Sequence, residues 1–179
     1  MLHTGYFKSQ PNEFIIKYAS GRVAREGQRL AFFYWKHNTQ VIAVPTSSVD
    51  ADLVFNEVTR NFQSVTIQGQ FTYRIHDPKR VSELLNFAMD PATREYVSND
   101  PDRLAQRITN VIQMETRTEI QKRSLEEVLS QFETIAAGVQ ARIKGSALLE
   151  PLEAELLNVY CIAAKPTPEV AKALEADYR

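Results

Sequence analysis

From Phe62 to Pro78 apolar and polar residues alternate almost without a break. Val65, Ile67, Phe71, Tyr73 and Ile75 share one face at period two, and Ser64, Thr66, Gln68, Gln70, Thr72 and Arg74 share the other. Such a pattern predicts a half-buried strand with one packed and one wet face. Gly69 interrupts the apolar set, where a missing side chain suits a bulge or a close crossing by another backbone. Asp77-Pro78 then stops the strand and opens a helix, because Asp accepts backbone N–H bonds as N-cap and proline fits the first helical position. Val81, Leu84, Leu85 and Ala88 follow at helical spacing. No catalytic group sits on this junction.

The rest of the first half reads as sheet. Phe14, Ile16 and Tyr18 alternate with Glu13, Ile15 and Lys17, and Ser20-Gly21 turns the chain into Arg22–Arg25. Gly27 marks another expected turn. Thr39–Val44 forms a short strand ended by Pro45, Leu53–Val58 the next, and Thr59-Arg60-Asn61 a hairpin turn into the Phe62 strand.

The second half reads as helix. Asp90-Pro91 and Asp100-Pro101 repeat the cap-and-proline signal, and Leu104, Ile108, Val111 and Ile112 form an amphipathic stripe behind the latter. Ser124 and Glu127 make a capping box, with Val128, Phe132, Ile135, Val139 and Ile143 continuing an apolar stripe toward Gly145 and Pro151. Leu156–Ala163 returns to the sheet as an edge or closing strand. Thr167-Pro168 opens a last helix carrying Val170, Ala171 and Leu174.

Composition narrows the function classes. A chain of 179 residues holds one substantial core. A net charge of -1 gives no pull toward nucleic acid. A single cysteine excludes an internal disulfide framework. No apolar run approaches the roughly 20 residues of a bilayer-spanning helix, and the first strand lies too near Met1 for a signal peptide. The expectation is a cytoplasmic protein, at most peripheral to a membrane.

The ordered series Ser20-Gly21-Arg22-Val23, Glu26-Gly27, Val41–Pro45, Val65-Thr66-Ile67, Tyr73-Arg74-Ile75-His76-Asp77-Pro78, Ile162 and Pro166-Thr167-Pro168-Glu169 resembles the stomatin/prohibitin/flotillin (SPFH, band 7) domain. The likeness covers roughly residues 12 to 179. It implies residues 1–165 as the SPFH domain and 166–179 as the start of a C-terminal helix, which in the family continues as a coiled coil. These residues lack the N-terminal membrane hairpin common in the family. Glu155 and Leu156 stand where the family often has glycine before its final strand. The expected fold is α+β: a curved, mostly antiparallel sheet with helices packed on one side and an extending C-terminal helix.

The function so implied is a non-enzymatic scaffold that self-associates, at a membrane face or off it, and organises client proteins. Val170, Ala171 and Leu174 are its candidate self-association stripe. The alternative is a soluble monomeric adaptor that binds one protein or peptide at a sheet edge. No cofactor is expected. His3, His37 and His76 are too scattered to suggest a zinc site, and neither a nucleophile elbow nor a phosphate-binding glycine loop is present.

One local composition stands out. Leu30–Trp35 reads Leu-Ala-Phe-Phe-Tyr-Trp. As a strand covered on both faces it would place Phe32, Phe33, Tyr34 and Trp35 all in the core. As a loop it would leave an apolar patch for a membrane interface or a partner, with Arg29 and Lys36 meeting lipid phosphates. Cys161, a palmitoylation candidate by the resemblance, is better read as a small buried hydrophobe in its strand. The charged run Glu115–Arg123 reads as a solvated helix face with i,i+4 pairs.

Overall fold

A computed structural model describes residues 4–166, Pro168, Ala171 and Lys172; for Cys161 and Ile162 only the backbone is described. The elements run β1 (Thr4–Lys8), β2 (Glu13–Ala19), β3 (Arg22–Gln28), β4 (Ala31–Trp35), β5 (Thr39–Pro45), β6 (Val49–Val58), β7 (Ser64–Ile75), α1 (Pro78–Leu84), β8 (Ala88–Met89), α2 (Asp100–Ile120), α3 (Leu125–Ser130), α4 (Phe132–Lys144), a 3-10 turn (Ala147–Leu152) and β9 (Ala154–Pro166). The class is α+β, as the pattern of strands then helices predicts. Its strands divide among three sheets, ordered β1-β4, β3-β2-β5-β8 and β6-β7-β9. The chain forms two compact units, one of Met1–Val49, Arg74–Ala105 and Leu152–Ala154, the other of Asp50–Tyr73, Gln106–Pro151 and Glu155–Arg179.

In the first unit β2 pairs antiparallel with both β3 and β5, and β5 pairs antiparallel on its other edge with the two-residue β8. One face of this sheet carries Ile15, Val41 and Ala43, which form a core with Phe7 of β1, Phe32 and Tyr34 of β4, and Met89 of β8. Glu26 of β3, opposite Ile16 on the other face, forms an ion pair with Lys79 of α1. Asp77 caps α1 as its position before Pro78 predicts, its carboxylate accepting from the Lys79 and Arg80 N–H groups at 2.9 and 3.2 Å.

Four local expectations shift here. Gly27 lies inside β3 opposite Ile15, and the turn falls at Arg29, where φ is +54°. Asp90-Pro91 opens a single turn, not a helix. Asp90 accepts from Ala92 and Thr93, but Arg94 takes the left-handed conformation (φ +62°) and ends it. Asp100 is already the first helical residue; its carboxylate receives the Asn86 N–H at 2.9 Å and Arg103 at 2.8 Å instead of capping. Glu155 and Leu156, expected just before the final strand, lie inside β9, and the residue that precedes it, Glu153, takes the glycine-favouring conformation (φ +49°). Its carbonyl accepts from His76 at 2.7 Å and its carboxylate pairs with Arg80 at 3.0 Å, which holds a side chain where glycine would be easiest.

In the second unit β6 and β7 are antiparallel. Asn56, Asp52 and Asp50 accept from Thr66, Gln70 and Thr72 at 2.7, 2.8 and 2.6 Å. The register is constant across Gly69, so the glycine marks no bulge toward β6. The opposite face buries Leu53, Phe55, Val65, Ile67 and Phe71. Glu57 lies on that face too, only 4 % exposed, and receives Gln113 at 2.8 Å and Arg117 at 2.9 Å from α2. That contact sets the helix against the packed side of the sheet. The stripe from Val128 to Ile143 runs through two helices, because the chain kinks at Gln131 between α3 and α4. The Ser124–Glu127 capping box forms in both directions. The run Glu115–Arg123 is less solvated than expected: Glu119 binds Arg123 at 2.7 Å, and Arg142 of α4 reaches both Glu115 and Glu119.

Candidate functional site: an aromatic ribbon with a basic rim

β1 and β4 form an antiparallel ribbon in which Tyr6 stands opposite Phe33 and Phe7 opposite Phe32. Period-two alternation splits the aromatics of β4 between two environments. Phe32 and Tyr34 face the first unit's core, 5 % and 3 % exposed. Phe33 and Trp35 face solvent, 74 % and 67 % exposed. The reading of all four as core holds only for the inner pair, since just one face of the ribbon is covered. A loop is not required for the exposed patch. Phe32 and Tyr34 therefore leave the candidate contact set, and Tyr6 joins it: its ring, more than half exposed, packs 5.2 Å from that of Phe33 at a tilt of 56°. The sequence hides Tyr6 because β1 is only five residues long and begins Thr-Gly. Gly5 has a structural reason, since a Cβ there would overlap the Tyr34 ring across the ribbon.

Two cations hold the ribbon in place. Arg94, presented by the turn at Asp90, donates to the Lys8 carbonyl at 2.9 Å and reaches both Glu13 carboxylate oxygens at 3.0 and 2.8 Å. Its guanidinium also lies 5.1 Å from the Phe7 ring centroid, a cation–π distance. Lys17 of β2 donates to the Phe33 carbonyl at 2.9 Å, with its ammonium 4.5 Å from the Phe32 ring centroid.

Lys17 stands directly opposite Arg25 in the β2–β3 register. Burial first, and then the Arg25 charge, lower the pKa of Lys17 from the ordinary lysine value. Tyr6, Lys17, Arg25, Ala31, Phe32 and Phe33 line a cavity of about 390 Å³. The site thus combines an outward aromatic surface with a cationic recess at its edge.

Elsewhere Phe62 is 89 % exposed at the β6–β7 hairpin tip, with φ +60°. Of the C-terminal stripe, Ala171 is helical and half-buried, while Val170 and Leu174 lie outside the described residues. Thr167 lies outside them as well. Among the described residues no group of three or more His, Cys, Asp or Glu side chains could hold a metal ion, and no helix is long and apolar enough to cross a membrane.

The family model of the SPFH domain / Band 7 family matches residues 7–179. The chain belongs to this family. SPFH domains are generally non-enzymatic scaffolds and membrane-associated, and the match takes in all of β2–β9 and the whole core beneath the ribbon. A search of curated proteins found none that matches.

Proposed function

We propose that this SPFH domain is a non-enzymatic scaffold that docks peripherally on the cytoplasmic face of a membrane and self-associates there to organise client proteins. The observation that carries the docking half is the outward face of the β1–β4 ribbon, where Tyr6, Phe33 and Trp35 expose large rings side by side. Exposed apolar clusters of this kind mark interaction surfaces, and tryptophan and tyrosine favour the interface between headgroups and acyl chains. The inner residues Phe32 and Tyr34 anchor the ribbon to a packed core, so the outer rings are offered from a fixed platform.

Self-association rests on the C-terminal helix. Val170, Ala171 and Leu174 stand at the spacing of an apolar helix stripe, and such a stripe is stabilised by burial against a partner surface. A second copy supplies the same stripe. Light scattering tests this half. The chain is expected to be at most a weak oligomer, to associate less when residues 167–179 are deleted, and to assemble when the stripe is continued in register. The sheet's circular dichroism should survive the deletion. A protein that stays monomeric at high concentration, even with the helix extended, would refute self-association and leave the monomeric adaptor as the better reading.

A further inference from the structure

The Lys17–Arg25 pair is an arrangement that the fold alone does not reward. Like charges directly opposite on adjacent strands repel, and Lys17 is also partly desolvated. No carboxylate among the described residues is ion-paired with either. The acidic residue of β2, Glu13, is committed to Arg94, and that of β3, Glu26, to Lys79 on the other face of the sheet. Lys17 spends one of its three N–H donors on the Phe33 carbonyl, which leaves two; Arg25 is exposed. Both cations line the cavity that Tyr6, Ala31, Phe32 and Phe33 complete.

We infer that this recess binds the phosphate of an anionic phospholipid headgroup, with Lys17 and Arg25 neutralising it while Phe33, Trp35 and Tyr6 enter the adjoining interface. The pair has no ion-paired carboxylate among the described residues, so an anion of either source relieves its repulsion. One feature favours a lipid over a soluble phosphate. The cavity wall is continuous with the exposed aromatic face, through Tyr6 and Phe33, which a free phosphate would leave in water. A lipid satisfies the cations and the rings at once. The inference rests on the docking reading above and adds the ligand chemistry and the residues that select it.

The test is co-sedimentation of the full chain with phosphatidylcholine vesicles, with or without phosphatidylglycerol, for the wild type and the Lys17→Gln/Arg25→Gln variant. The wild type should prefer the anionic vesicles, more so at low salt. The variant should lose about 30-fold in affinity for them, the worth of two basic residues at such a surface, and with it the preference for phosphatidylglycerol. Arg25→Gln alone, which disturbs no hydrogen bond to the ribbon, should lose about fivefold and guards against a folding defect in the double variant. Wild-type affinity in both variants overturns the phosphate recess and leaves membrane docking standing. Failure of the wild type to bind any vesicle overturns both. Saturable binding of inorganic phosphate without vesicle binding refutes the lipid assignment.

Discussion

Phe32 and Phe33 are adjacent in sequence and chemically identical, yet the structure gives them opposite fates. Phe32 is 5 % exposed, stacks on Phe7 with ring centroids 5.2 Å apart, and lies under the Lys17 ammonium. Phe32→Ala removes a buried aromatic from a core whose neighbours come from β1, β2, β5 and β8, so little can collapse into the gap. Truncations of this kind cost about 3–5 kcal/mol, a large fraction of the roughly 5–15 kcal/mol that holds a protein folded. At about 2–4 °C per kcal/mol for a chain of this size, the melting temperature should fall by roughly 6–20 °C. Phe33→Ala removes a ring that is mostly in water and loses only its tilted contact with Tyr6, so its cost should stay within about 0.5 kcal/mol. Chemical denaturation of the two variants in parallel measures the contrast. Equal costs, or a larger cost at Phe33, would refute the ribbon register, because a one-residue slip exchanges the two faces.

Asp77→Ala should cost about 0.5–2 kcal/mol by removing the acceptor of two N–H groups at the start of α1, with self-association unchanged. An unchanged melting midpoint would count against the cap. Glu119 has a pKa lowered from the ordinary value, first by its hydrogen bond from Arg123 and then by Lys122 and Arg142, against an opposing burial effect. A depressed carboxyl stabilises fully above its unfolded pKa, about 4.3, and loses that contribution as pH falls through the lower folded value. The stability gap between wild type and Glu119→Gln should therefore be constant near neutrality and close below about pH 4; a gap independent of pH would contradict the pairing.

Much of this fold is readable from local rules, because those rules govern single segments. The alternation of β7, the Asp77 cap and the Ser124–Glu127 box each depend on residues close in the chain, and each forms where its pattern places it. The Asp90-Pro91 signal shows the limit. Its cap bonds form, but the left-handed Arg94 ends the turn and spends its side chain on Glu13 and Lys8, partners far away in sequence. The aromatic run is similar. Alternation separates Phe32 and Tyr34 from Phe33 and Trp35, but which face is covered depends on how a five-residue β1 pairs with β4. The Lys17–Arg25 recess was beyond reach for the same reason, since it requires the β2–β3 register.

The chain's only tryptophan, Trp35, sits on the proposed docking face. Its fluorescence during titration with phosphatidylglycerol-containing vesicles is the most direct test of the account. The emission should start at the long wavelength of a water-exposed indole, shift blue on binding, and be quenched by lipids brominated near the headgroup end of their chains. Phe33→Ser should weaken that shift without unfolding the protein. Vesicle binding with no change in Trp35 emission, or no binding at all, would contradict docking through the ribbon.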